Sequence, residues 1–259
     1  MTWGVVVVAG GLVKDPLASA IGTPRKALAR VSGRSCLART LDAVKAAGLD
    51  VCVTVSGDDV ADHVHHGKLV QEGETQIENA RIAVEALPPV DGVLFLPADT
   101  PMLPGAALTD FLASVEERID EGQERWFAGG LTSLADFNRA FPGMSTQAIR
   151  LSDGDYLSGA LFATSPEGFF HAIDVIDQMS HSRRNQLGML WKLGLWAVVC
   201  YLMHRMSLKD AELRLGRVME GQAIIVTGCD PRTAADIDDV ADYDELRIHA
   251  NLSGDGAAQ

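Results

Sequence analysis

An α/β fold built on a largely parallel sheet is what this sequence predicts, and three stretches carry that prediction. Val5 to Val8 is an unbroken valine run, and β-branched side chains of this kind suit a strand buried on both faces. Ser35 to Gly48 spaces Leu37, Leu41 and Val44 along one helix face and ends at a glycine. Val51 to Val55 then supplies a second β-branched strand. A strand, helix and strand joined by a right-handed crossover leave both strands parallel, with their carboxyl ends on one edge. Open α/β sheets bind ligands outside that edge.

Composition sets the outer limits. With 47% hydrophobic residues in 259, the chain can bury a sizeable core, expected as one domain over 1–252 with a helical, apolar insertion at about 182–220 and a disordered tail at 253–259. A net charge of −13 argues against a nucleic-acid partner, which needs a basic surface. Any anionic ligand then depends on local Lys and Arg or on a divalent cation. Cys36, Cys52, Cys200 and Cys229 are widely spaced and form no C-x-x-C, so they read as reduced thiols rather than a zinc site or disulfide framework. No basic segment precedes an apolar core near residue 1, and a cytoplasmic location is expected.

The valine strand runs into Ala9-Gly10-Gly11, where glycines allow a sharp turn and a close backbone approach to phosphate. Neither G-x-x-x-x-G-K-[ST] nor G-x-G-x-x-G follows, which excludes a P-loop and a dinucleotide fingerprint. Lys14 is the first basic residue after the glycines. Lys26 comes later, after Thr23-Pro24-Arg25, across a stretch that reads as a long functional loop without regular structure.

His63, His65 and His66 lack a completing ligand pattern and read as a solvated loop. Gly73-Glu74-Thr75-Gln76 opens a helix reaching Leu87, whose first N–H groups suit an anion, while Thr75 or Asn79 equally suits a simple cap. Gly92 to Leu96 is a third buried strand, and it delivers Asp99 to the same edge as Gly10 and Gly11. Magnesium is held by few carboxylates together with phosphate oxygens and water, so one well-placed aspartate there can be its main protein anchor.

Farther on, Pro104 to Ile119 reads as a helix, Phe127 to Leu131 as a strand, and Thr146 to Thr164 as a hairpin turning at Asp153-Gly154. Arg183 to Met219 contains the apolar run Leu193 to Met203, too short to cross a bilayer; a buried helix is preferred over a membrane or lipid contact. Ser207 and Asp210 begin another helix, and Gln222 to Thr227 is a strand. In Asp236-Ile237-Asp238 an extended backbone puts both carboxylates on one side, which demands a cation or a basic partner; an acid-rich helix start is the competing reading.

The Ala9-Gly10-Gly11 loop, Pro24-Arg25-Lys26-Ala27-Leu28, Asp99-Thr100-Pro101-Met102-Leu103 and the closing Asp236-Ile237-Asp238 together resemble the nucleotidyltransferases of sugar phosphates and cofactors, in particular the molybdenum-cofactor guanylyltransferase-like group. The resemblance implies a three-layer αβα fold with a mostly parallel, Rossmann-like (GT-A type) mixed sheet. It also implies transfer of a nucleotidyl group from a nucleoside triphosphate to a phosphorylated small-molecule acceptor, with release of pyrophosphate. By residue, it assigns nucleotide contacts to Ala9, Gly10, Gly11, Lys14, Lys26, Gly73, Gln76, Asn79 and Asp99, and catalysis to Lys26 and Asp99. Magnesium (Mg2+) falls to Asp99 with Asp236 and Asp238, and the acceptor to Gly159. Lys14 stands where the family often has arginine, Gln76 and Asn79 depart from its G-x-x-R-x-x-S string, and Ala160 replaces an asparagine, so base and acceptor stay open. Two alternatives share the architecture: a metal-dependent glycosyltransferase, which needs a D-x-D where this chain has Asp99 alone, and a non-catalytic nucleotide-binding protein. Oligomeric state is not specified.

Overall fold

Val5, Val6 and Val7 are all fully buried, and a strand achieves this only when both sheet faces are covered. The computed structural model describes residues 1–144, 146–181 and 205–252. Its strands are β1 (Trp3–Val8), β2 (Arg30–Val31), β3 (Arg34–Ser35), β4 (Cys52–Ser56), β5 (Lys68–Gln71), β6 (Gly92–Pro97), β7 (Trp126–Ser133), β8 (Ile149–Leu151), β9 (Gly154–Thr164) and β10 (Gln222–Thr227). The helices are α1 (Leu17–Ile21), α2 (Cys36–Ala46), α3 (Gln76–Glu85), α4 (Gly105–Glu116), α5 (Leu134–Ala140), α6 (Pro166–His181), α7 (Leu208–Val218) and α8 (Val240–Leu252).

Eight strands form one sheet in the order β10-β7-β9-β6-β1-β4-β5, with β8 added to β9; β2 and β3 make a separate ribbon. Strand β1 pairs in parallel with β4 and β6, β4 with β5, and β7 with β10. Only the long β9 and its partner β8 interrupt this pattern, since β9 runs antiparallel to β6 and β7. The sheet is therefore mixed and mostly parallel, as the sequence implies.

Alternation along β1 divides the core. Val5 and Val7 pack with Leu37 and Leu41 of α2 and Leu108 and Phe111 of α4. Val6 faces the other way, with Val53 and Val55 of β4, Ala83 of α3 and Phe169 of α6. A third cluster lies past the carboxyl ends of the strands, where Leu17, Ile21, Phe137, Phe141, Tyr243 and Leu246 from α1, α5 and α8 pack together. The first two clusters make the three layers, and the third buttresses the carboxyl edge of the sheet.

Several elements match their sequence signals closely. Ser35 Oγ accepts the Ala38 N–H at 3.2 Å to cap α2, and Gly48 takes the left-handed φ of 70° that ends it. Ser207 and Asp210 form a reciprocal capping box on α7. Other expectations need correction. The stretch between Gly11 and Lys26 is not free of regular structure: α1 lies inside it, with Leu17 and Ile21 buried in the third cluster. The hairpin turns at Ser152-Asp153, one residue early, because Gly154 already pairs with Leu151 as the first residue of β9. His63, His65 and His66 are not simply solvated; they bond separately to Ser35 Oγ, Asp42 and the Leu49 carbonyl and do not converge. The apolar run 193–203 and the tail lie outside the described residues. Among the described residues, no helix is long and apolar enough to cross a membrane.

Phe111 sits at the centre of the α4 face with 1% exposure, so Phe111→Ala is expected to cost about 3–5 kcal/mol. Urea unfolding monitored by circular dichroism measures this; an unchanged midpoint would contradict the packing described.

Candidate active site

Strand register brings the site together. Val8 stands opposite Val55 on one side and Pro97 on the other, and the pairing continues past the strand ends. The Ala9 N–H donates to the Val55 carbonyl at 3.0 Å, and the Ala98 N–H to the Val8 carbonyl at 3.0 Å. Ala9-Gly10-Gly11 and Ala98-Asp99 thus leave the sheet side by side. With Lys26, Glu72, Gly73, Thr75, Gln76 and Asn79 they line an open cavity of about 700 Å³. Lys14 is exposed and is not among the lining residues. Gly159 also stands apart from the cavity: a Cβ there would fall 2.7 Å from Thr233 Oγ1, so the glycine lets β9 pack on the turn at Pro231–Ala234.

The two glycines of the loop differ in what they permit. A Cβ on Gly10 would overlap the Glu72 carboxylate, whereas one on Gly11 would meet nothing within 4 Å. Gly10 is required by the wall behind it, and Gly11 faces open space. Across the cavity, Asn79 Oδ1 accepts the Gly73 N–H at 2.6 Å and Thr75 Oγ1 caps α3 by accepting the Glu78 N–H at 3.1 Å. The amino end of α3, with its partial positive charge, therefore borders the cavity at Thr75 and Gln76.

Four charged groups meet beside the cavity, and of these Lys26 and Asp99 line it while Asp236 and Asp238 do not. The Lys26 ammonium lies 2.9 Å from Asp99 Oδ2 and 3.0 Å from Asp238 Oδ1. Burial alone would lower the lysine's pKa, but the charges and hydrogen bonds of Asp99 and Asp238 outweigh it and raise the value. Asp236 has its carboxyl pushed up to about 6, by burial first and then by the charges of Asp238 and Asp99. The loop carrying the last two aspartates is stitched to the site by the Ile237 N–H, which donates to the Asp99 carbonyl at 3.2 Å. Asp242 holds that loop's far end by accepting the N–H groups of Asp238 and Asp239 at 3.1 and 3.2 Å.

Among the described residues, no three His, Cys, Asp or Glu side chains are gathered as a ready cage for a metal ion. Lys26 stands between the carboxylates instead. Asp99 Oδ1, however, is buried without a hydrogen-bond partner. Carboxylate oxygens are the donors a hard divalent cation takes, and the orphaned oxygen belongs to Asp99, the one of the three aspartates that lines the open cavity, so the donor chemistry fits such an ion.

Sequence reasoning passes over Arg25 and Glu72. The Arg25 side chain is only 7% exposed, and its Nε donates to Asp59 at 2.6 Å while Nη2 donates to Glu72 at 2.9 Å. Nη1 reaches Ser56 Oγ at 3.2 Å and the Ala9 carbonyl at 3.4 Å. One guanidinium thus ties the start of the glycine loop to the end of β5, from behind the cavity wall. The available signal was a second cation beside Lys26 in a chain poor in cations.

Residues 5–124 match the family model of the MobA-like NTP transferase domain. The match runs from β1 through α4 and so contains the glycine loop, Lys26 and Asp99; the likeness of the remainder is one of fold. A comparison with curated proteins finds no match. A hypothetical transferase from Thermus thermophilus is 23% identical, with a TM-score of 0.79 over 94% of this chain and 100% of its own. A nucleotidyl transferase from Methanothermobacter thermautotrophicus is 17% identical, with a TM-score of 0.58 over 97% and 99%. A Mycobacterium tuberculosis H37Rv protein in complex with manganese is 17% identical, with a TM-score of 0.50 over 96% and 98%.

Two outcomes follow from these electrostatics. The folded chain holds the Asp236 proton more tightly than the unfolded one, so the carboxylate costs nothing below the unfolded pKa of about 4, and its penalty is full above about pH 6. In metal-free buffer, Asp236→Asn is therefore expected to raise the melting temperature by a few degrees at pH 8 and not at pH 4; equal effects at both would contradict the placement. Arg25→Met leaves Glu72 unpaired against Gly10 and is expected to cost roughly 3 kcal/mol in urea unfolding, the scale of breaking a largely buried ion pair.

Proposed function

We propose that the cavity binds a nucleoside triphosphate and that the protein transfers its nucleotidyl group to a phosphorylated small-molecule acceptor. An acceptor phosphate oxygen forms the new bond to the α-phosphorus, the α–β anhydride bond breaks, and pyrophosphate leaves. The observation that carries this reading is the presence of Lys26, Asp99 and the open backbone of Gly11 in one cavity at the carboxyl edge of an NTP transferase domain. The nucleotidyl transferase likeness supports it as well.

The chain's own groups divide the work. Gly10 and Gly11 bring backbone close to the phosphates, while the amino end of α3 at Gly73 and Gln76, braced by Asn79, borders the nucleoside end. Lys26 stabilises charge that grows on the departing phosphates. Asp99, with Asp236 and Asp238, would hold Mg2+, which supplies Lewis-acid polarisation of the phosphates when bound. No protein nucleophile takes part, because an acceptor phosphate is already ionised near neutral pH, and positioning provides the rest of the acceleration.

Pyrophosphate release, measured with each ribonucleoside triphosphate against a panel of sugar phosphates and phosphorylated cofactors, tests the reading. One pair is expected to turn over with magnesium, and Lys26→Met is expected to lower that rate by roughly ten- to a thousandfold. Release of free nucleoside diphosphate instead would indicate glycosyl transfer, and full activity in Lys26→Met would remove the assigned role of the lysine.

A further inference from the structure

We propose that Lys26 is an internal counter-ion that keeps a divalent cation off Asp99 and Asp238 until a triphosphate draws the ammonium away, so that metal and nucleotide enter as a coupled pair. This deepens, and rests on, the nucleotidyl-transfer reading. The ammonium occupies one oxygen of each carboxylate, at 2.9 and 3.0 Å. A monovalent and a divalent cation at contact distance repel strongly, so the two cannot share those oxygens. Asp99 Oδ1 stays buried and unpartnered beside them, an acceptor that Lys26 leaves unused.

The lysine is anchored where an exchange requires only side-chain rotation. Its backbone N–H donates to the Gly11 carbonyl at 3.2 Å, which fixes the stem beside the glycine loop. Its flexible four-carbon chain reaches the carboxylates from there, and both Lys26 and Gly11 line the same cavity. Phosphate oxygens entering next to Gly11 offer the ammonium a competing set of anions. When it leaves, Asp99 and Asp238 lose their neutralising partner. A divalent cation then meets that excess of negative charge. Because such coupling is reciprocal, whatever affinity the nucleotide adds for the metal, the metal adds for the nucleotide.

Binding of Mn2+ alone, with no nucleotide, tests this by electron paramagnetic resonance of the free ion. Lys26→Met is expected to bind Mn2+ at least tenfold more tightly than wild type, whereas Lys26→Arg, which keeps the charge, is expected to stay within a few-fold of wild type. Mn2+ is likewise expected to raise the melting temperature of Lys26→Met more than that of wild type. Should Lys26→Met not fold, Lys26→Gln removes the charge while keeping a hydrogen-bond donor for the same carboxylates and carries the same expectation. Equal Mn2+ affinity in wild type and the charge-removed variant would overturn the proposal. If wild type nonetheless releases pyrophosphate, the nucleotidyl-transfer reading stands without it; a gain in Mn2+ affinity with no pyrophosphate release from any pair supports the counter-ion role and removes the reading.

Discussion

Val8 faces Val55 and Pro97 across two parallel ladders, and the position of every group at the cavity depends on that register. Side chains alternate faces along a strand, so a slip of one residue in β6 would turn buried Leu94 and Leu96 out of the α2–α4 core. The same slip would move Asp99 away from Lys26. Packing of the valine strand and placement of the charged groups are thus one constraint. The hydrophobic pattern holds the register, and the register delivers the carboxylate.

Charge is handled in two different ways on the two sides of the glycine loop. Behind the loop, Arg25 is locked between Asp59 and Glu72 and is committed to structure, since its guanidinium is almost wholly covered. In front of it, Lys26 is adjacent in sequence but borders the cavity, and one of its partners, Asp238, is 75% exposed. Adjacent cations therefore have separate tasks: one fixes the backbone, the other remains exchangeable. Each of these cations is matched by two carboxylates, so in a chain of net charge −13 neither leaves a surplus of positive charge beside the loop.

Much of this was legible in the sequence where a local pattern exists. The valine run, Gly92 to Leu96 and Gln222 to Thr227 announce their strands through β-branched or apolar continuity, and Asp99 is found because it follows such a run at a proline. Strand β5 is not announced: in Lys68-Leu69-Val70-Gln71 two apolar residues between polar ends leave no period to count, as befits an edge strand. Helix α1 is hidden for a similar reason, because five residues are too few for a helical repeat. The Arg25–Glu72 pair joins positions 47 residues apart and exists only through tertiary folding, so nothing local marks it. Lys14 and Gly159 show the opposite limit: spacing relative to a motif singled them out, but chain direction after Gly11 and the packing of β9 on Thr233 place them outside the cavity lining.

The claim that holds these observations together is that the carboxyl-edge cavity is built for the triphosphate of a nucleotide. Thermal unfolding in the presence of each of the four ribonucleoside triphosphates with magnesium, beside the matching nucleosides, tests it most directly, because a ligand that binds only the folded chain raises its melting temperature. At least one triphosphate is predicted to raise the melting temperature while its nucleoside does not. No rise with any triphosphate, or an equal rise with the nucleoside, would contradict the account.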